Sequence, residues 1–338
     1  MKKASLLALG IVLVIAFLWK TYKQDPDSNQ SHITGLTMGT ITYNVKYLNS
    51  ERDFKNDIDK ILTEFNQSLS TYISDSEISR LNTTGHFDFE SRYFLPILKT
   101  SREIFLRTDG AFDPSVGPLV QAWGFGPDRQ IPEMNQATID SLKSVIGFSN
   151  VKFDDNSVMI PNNFQLDFSA IAKGYAVDLV AEFLQGNDIE NYMVEIGGEV
   201  RSRGLNEKGG TWTLGIEDPT APQNDRRLYA VARLKDRALA TSGNYRNYYE
   251  KDGRIYAHII DPRTGFNAIH SLLSVSVFAQ DCMTADAYAT AFMVMGMENS
   301  IDLVESENDL DAIFIFQNEQ GDLESYISDG VKPFVEIL

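Results

Sequence analysis

Leu166-Asp167-Phe168-Ser169-Ala170-Ile171-Ala172-Lys173-Gly174 opens a segment, 166–198, whose reading decides the fold class. The spacing predicts a strand that delivers Asp167, an N-cap at Ser169, and a helix over 169–184. Residues 192–196 then alternate as a strand and stop at Gly197-Gly198, where backbone could approach a flat ligand.

Working outward, 35–48 alternates, with Ile41, Tyr43 and Val45 against Thr40, Thr42 and Asn44, and reads as one strand. Helical stripes follow at 54–69 (Ile58, Ile61, Leu62, Phe65) and 95–108 (Ile97, Leu98, Ile104, Phe105), the second ending at Asp109-Gly110. Residues 151–160 read as a hairpin around Asp154-Asp155-Asn156, and 245–260 as another turning at Asp252-Gly253. Further strands are expected at 212–217, 228–234 and 272–279, a helix at 284–297 and a closing strand at 313–316. No βαβ unit recurs at fixed length and no internal repeat is present. The fold class is therefore α+β (mixed α/β), a body of mixed sheets flanked by helices.

The chain has 338 residues, 43% of them apolar and 23% charged, which suits a globular body rather than disorder. A net charge of −17 excludes a nucleic-acid partner, which needs a basic stripe. An anionic ligand is still possible if a cation or backbone N–H groups supply positive charge. The single cysteine, Cys282, excludes an intramolecular disulfide and multi-cysteine metal sites. Four histidines without HExxH or HxH spacing point away from a transition-metal enzyme and leave oxygen-ligated Mg²⁺ or Ca²⁺ open.

At the N-terminus, Lys2-Lys3 precede an apolar run over 4–19, closed by Trp19, Lys20 and Lys23. This predicts an export signal, read as an uncleaved anchor over 1–20 in preference to a cleaved signal peptide since no small-x-small cleavage site follows it, and the lack of a following cysteine excludes lipoprotein processing. Residues 21–34 are polar and read as a linker, and 35–338 as the folded domain.

Three patches carry candidate chemistry. In the first, free N–H groups and small residues at the start of the 169–184 helix, with Lys173 among them, suit a phosphate or carboxylate. The same residues also fit an ordinary capped helix with a solvated lysine. In the second, Asp286 and Thr290 stand four apart on one helix face among alanines, and hard oxygens of this kind suit Mg²⁺. An acid serving the helix dipole and a threonine bonded to its own backbone fit equally. In the third, His258 and Asp261 lead into the Pro262–Gly265 turn, where a histidine could move a proton or simply be structural. No GxSxG or GxxxxGK[ST] motif occurs, so nucleophile-elbow hydrolases and P-loop NTPases have no support.

Taken in order, the motifs resemble those of the ApbE family. They are Met38-Gly39-Thr40, Ser70-Thr71-Tyr72 with Ser76 to Asn82, and Phe112 to Pro118 with Trp123-Gly124-Phe125-Gly126. Asp167 to Gly174, Glu195 to Glu199, Thr241-Ser242-Gly243, His258 to Gly265 and Ala285-Asp286-Ala287 follow. The motifs span roughly 36–300.

This resemblance implies an ApbE-like, T-fold-related body and an FAD:protein FMN transferase. Such an enzyme splits the FAD pyrophosphate with Mg²⁺, attaches FMN to a Thr or Ser hydroxyl of an acceptor protein, and releases AMP. The acceptor would be a subunit of a membrane redox complex, and the anchored domain would face the periplasmic side of a bacterial cytoplasmic membrane. By motif matching, the Ala170 carbonyl, Asp286 and Thr290 would hold the metal. Met38, Tyr72, Ala122, Trp123, Gly124, Asp167, Lys173 and Ile260 would contact FAD, and His258 would be the base. The resemblance leaves an FAD pyrophosphatase and a non-catalytic FAD-binding protein as alternatives. Two positions depart from the family: no lipid-modified cysteine follows the signal, and Ala289 stands where some members carry a second acid. A site without that acid leans on Asp286, phosphate oxygens and water.

Overall fold

A computed structural model of the chain describes residues 30–125, 134–222, 225, 227–244, 248–251, 254–257, 259–268 and 270–338. The expected anchor over 1–20 lies outside them. Among the described residues, no helix is long and apolar enough to cross a membrane.

The alternating run at the start of the body forms two strands rather than one, β1 (Gln30–Thr37) and β2 (Ile41–Leu48). They pair antiparallel, Thr37 opposite Ile41, across a turn at Met38-Gly39. The polar linker expected over 21–34 therefore gives way to strand by Gln30. Its polar residues sit on an edge strand, where alternate side chains face solvent and polar composition costs nothing.

Three helices follow, α1 (Lys55–Leu69), α2 (Glu77–Thr84) and α3 (Phe94–Arg107). Helix α2, not anticipated, is short, and begins where the Ser76 side chain accepts from the Ser79 N–H. Strand β3 (His86–Asp88) joins β4 (Lys152–Phe153) and β5 (Ser157–Met159), the last two forming the hairpin expected over 151–160. Between them lie two further unforeseen short helices, α4 (Gly117–Ala122) and α5 (Gln136–Lys143).

The decisive segment behaves as expected in outline and differs at its start. Residues 164–168 are irregular rather than strand, and helix α6 begins at Ala172 and runs to Gly186. Ser169 does not cap it; instead Ser169 donates through both N–H and Oγ to Asp167 Oδ1. Strands β6 (Tyr192–Ile196) and β7 (Glu199–Arg203) then pair antiparallel around Gly197-Gly198, both at positive φ.

Further strands are β8 (Trp212–Glu217), β9 (Leu228–Leu234), β10 (Ala238–Gly243), β11 (Tyr248–Lys251), β12 (Arg254–Ala257) and β13 (Leu272–Ala279). Helices α7 (Cys282–Met295) and α8 (Met297–Ser306) come next, then β14 (Asp311–Gln317), β15 (Leu323–Ile327) and β16 (Val335–Ile337). The run at 313–316 is thus an interior strand and not the closing one.

The main sheet has eight strands in the order β1-β2-β6-β7-β10-β13-β14-β15, with every registered pair antiparallel. Helices α6 and α7 pack on it and on each other. Helix α7 is buried nearly all round, from Cys282 through Ala285, Ala287 and Ala289 to Phe292 and Val294, which is why its sequence shows little amphipathic stripe. The closeness of the two helices depends on Gly174: a Cβ there would lie 2.1 Å from the Cys282 carbonyl oxygen and 2.8 Å from Asp286 Cβ.

Candidate active site

That close crossing decides where the chemistry sits. Asp286, on the second turn of α7, is only 4% exposed. Its Oδ2 accepts from the Gly174 N–H at 2.9 Å, and its Oδ1 lies 3.5 Å from Lys173 Nζ. The first turn of α6 is not an open anion site, since the Gly174 N–H is given to a carboxylate of the protein and the Ala172 N–H to the Phe168 carbonyl. Thr290 follows one turn later on α7, half-buried.

Lys173 is not solvated. Its Nζ contacts Glu199 Oε1 at 2.5 Å, and Glu199, at the start of β7, is 2% exposed. Burial alone would lower the lysine's pKa, but Asp286 and Glu199 more than offset this and hold it above its usual value. Burial likewise pushes Glu199 up, to about 7, against the pull of Lys173. Glu199 Oε2 is buried with no hydrogen-bond partner. The neighbouring acid, Glu195, is engaged differently. It accepts from the Gly198 N–H at 2.7 Å and from Asn44 Nδ2 at 2.6 Å, pinning the Gly197-Gly198 turn.

One cavity of about 870 Å³ gathers Tyr72, Asp167, Ala170, Lys173, Ile260, Asp286 and Thr290, residues drawn from sites more than 200 positions apart. Tyr72 is 76% exposed and stands free at the rim, as a ring-stacking side chain must. Asp167 sits in the wall with its N–H donating to the Pro114 carbonyl at 2.8 Å. Ile260 is buried in the cavity wall and bridges to Asn267.

The other expected contacts lie elsewhere. Met38 occupies the β1–β2 turn at φ +47, half-buried against the core, and does not line the cavity. Neither do Ala122, Trp123 and Gly124, although Gln121 and Phe125 on either side of them do. Trp123 is 6% exposed, and its Nε1 donates to the Gly265 carbonyl at 2.9 Å. It braces the 261–265 turn that carries Ile260. His258 lies outside the described residues.

Three residues of structural consequence were not singled out from sequence. Asn82 on α2 clamps Leu166 from both sides, donating to its carbonyl at 2.9 Å and accepting its N–H at 2.8 Å. Asp113 accepts from Ser115 and from the Phe148 N–H, fixing the loop before α4. Asp178 accepts from the Cys282 and Met283 N–H groups at 2.9 and 2.7 Å and pairs with Arg201 at 2.7 Å. It thereby caps α7 from a neighbouring helix. Asn82 and Asp113 fall within motifs of the resemblance, but the bonds all three make are not legible there, since each acts on a segment distant in the chain or on backbone.

The donor set suits a hard cation. Among the described residues no group of three His, Cys, Asp or Glu side chains converges. A metal here would take one carboxylate, Asp286, with the neutral oxygens of Ala170 and Thr290, and find the rest on a ligand. Two buried acids share the single Lys173 ammonium, so acidic oxygens outnumber cations in the cluster.

The family model described as "ApbE family" matches residues 38–314. An FAD:protein FMN transferase of Vibrio cholerae (serotype O1, strain O395) is 39% identical, covering 98% of each chain. The Escherichia coli K12 protein of the same name is 33% identical over 96% of each. Among solved structures, the flavin transferase ApbE from Vibrio cholerae superposes with a TM-score of 0.80 at 39% identity, covering 91% of this chain and 99% of its own. The apo flavinyl transferase ApbE of Pseudomonas stutzeri gives 0.81 at 32% identity, covering 91% and 97%. A matched model over most of the body, full-length relatives and the shared fold together establish that this chain belongs to the ApbE family.

Proposed function

We propose that the protein transfers FMN from FAD to a Thr or Ser hydroxyl of an acceptor protein, with Mg²⁺ required and AMP released. The observation that carries this reading is the convergence of Asp167, Ala170, Lys173, Asp286 and Thr290 on one cavity large enough for a dinucleotide. In the transfer, the acceptor oxygen bonds to the flavin-side phosphorus and the bond from that phosphorus to the bridging oxygen breaks. AMP leaves with the bridging oxygen. The hydroxyl proton passes to a base, for which His258 is the candidate.

The chain's own residues position the reactants. Ala170, Asp286 and Thr290 supply the oxygens that would hold Mg²⁺, and when bound that ion neutralises charge on the pyrophosphate. Tyr72 at the rim offers a face for a flat ring, and Asp167 and Ile260 also line the cavity. The remaining expected FAD contacts, Met38, Ala122, Trp123 and Gly124, lie outside the cavity lining, and of these Trp123 bonds to the 261–265 turn. The Lys-flanked apolar run at 4–19 supports an anchor, with the catalytic body on the outer face of a bacterial cytoplasmic membrane. A subunit of a membrane redox complex is the acceptor that this location favours.

Incubating the full-length protein with FAD, Mg²⁺ and a candidate redox subunit, followed by intact-mass measurement, tests the reading. The expected result is an acceptor mass raised by one FMN, abolished by EDTA and by Asp286→Ala. His258→Ala should keep FAD and lose transfer. Free FMN and AMP with no labelled acceptor would replace the transferase with a pyrophosphatase, and intact FAD throughout would leave a binding protein.

A further inference from the structure

The two acids on either side of the Gly197-Gly198 turn are used differently, and the difference bears on the metal site. Glu195 is consumed by the turn itself, through the Gly198 N–H and Asn44. Glu199 instead reaches Lys173 at 2.5 Å, while the same ammonium stands 3.5 Å from Asp286 Oδ1. The lysine stem passes beside Gly197, where a Cβ would lie 3.5 Å from Lys173 Cδ and 3.6 Å from Glu199 Oε2, ordinary contact distances. The cation is therefore shared between two carboxylates and held closer to the one that is not read as a metal ligand.

We infer that Glu199 is a positioning residue that draws Lys173 away from Asp286 and so leaves the Asp286 carboxylate free to take a divalent cation. The inference rests on the Mg²⁺-dependent reading of the site given above. Without the Glu199 charge, Lys173 would close onto Asp286 and compete with the metal. Moving an ion pair from 3.5 Å to direct contact, at an effective dielectric near 20, corresponds to roughly a tenfold change in binding. Arrangement matters here as well as charge, because a carboxylate that cannot reach Lys173 cannot hold it.

The test titrates Mn²⁺ into the full-length protein with FAD and no acceptor, reading free Mn²⁺ by its paramagnetic signal. Glu199→Gln should raise the Mn²⁺ dissociation constant about tenfold. Glu199→Asp, which keeps the charge and shortens the reach, should raise it by a similar factor. The double variant Lys173→Met/Glu199→Gln, titrated at FAD concentrations that saturate it because Lys173 is itself an expected FAD contact, should return near the wild-type value, since the competing ammonium is gone. It also replaces a buried ion pair by neutral groups of similar size, a change that folded proteins commonly tolerate. Wild-type affinity in Glu199→Asp, or a double variant as weak as Glu199→Gln, would overturn the inference while leaving the transferase intact. A wild-type protein that does not bind Mn²⁺ beside FAD would overturn both.

Discussion

Two glycines of α6 receive the same substitution in opposite circumstances. At Gly174 an added methyl would sit 2.1 Å from the Cys282 carbonyl oxygen and 2.6 Å from its carbon. Ordinary carbon–oxygen contact needs about 3.3 Å, so α6 and α7 must separate by about 1 Å. Overpacking of this kind costs about 1–3 kcal/mol. The separation also stretches the 2.9 Å bond from the Gly174 N–H to Asp286, worth about 1.5–3 kcal/mol for a charged acceptor. Helix propensity returns about 1 kcal/mol, leaving a net loss of roughly 3–4 kcal/mol. At about 2.1 cal/mol/K per residue, a body of this size shifts by roughly 1.5 °C per kcal/mol, so Gly174→Ala should lower Tm by about 5–6 °C. Because the strain falls on Asp286, FMN transfer should fall further than the loss of folded protein explains. At Gly186, where a Cβ meets nothing within 4 Å, the same change should raise Tm by about 1 °C and leave transfer untouched. Differential scanning calorimetry and the intact-mass assay read both variants. A Gly174→Ala protein with wild-type Tm and transfer would refute the claim that helix–helix approach sets the site.

Trp123→Phe should cost about 1–2 kcal/mol, because the Gly265 carbonyl loses a buried donor; denaturant unfolding measures it. The loosened 261–265 turn should show as a raised KM for FAD with kcat little changed, and an unchanged KM would argue against the bracing role. Asp178, pushed up to about 7 by burial, binds a proton in the folded state over a range where the unfolded chain, at the ordinary 3.8, does not. Its contribution to stability therefore falls as pH rises from about 4 to 7, by at most about 1.4 kcal/mol per pH unit. Asp178→Asn should remove that slope from the pH dependence of the unfolding free energy, and an identical slope in the variant would count against the shift.

What the sequence determined by itself was whatever depends on neighbours in the chain. Alternation placed β6, β8, β9 and β13 at their ends, because a period of two is imposed by the pleat and needs no partner to be visible. Helical stripes located α1 and α3 to within a residue or so. The short helices α2, α4 and α5 escaped, since six to eight residues carry too few turns for a stripe. The motif order identified the family, and the Asp286–Thr290 spacing put a carboxylate and a hydroxyl on one face.

Tertiary structure decided which groups meet. The start of α6 could not be read from Ser169, because Asp167 takes that serine for a local turn and the helix begins three residues on. Lys173 looked like a free cation aimed at a ligand, yet Glu199 and Asp286 arrive beside it from 26 and 113 positions away. Trp123, one of the expected FAD contacts, is buried against a turn 142 positions further along. Burial, charge pairing and the distance between two helices are properties of the folded sheet-and-helix packing. No pattern local to the chain encodes them, because the groups involved become neighbours only when β6, β7, α6 and α7 are in place.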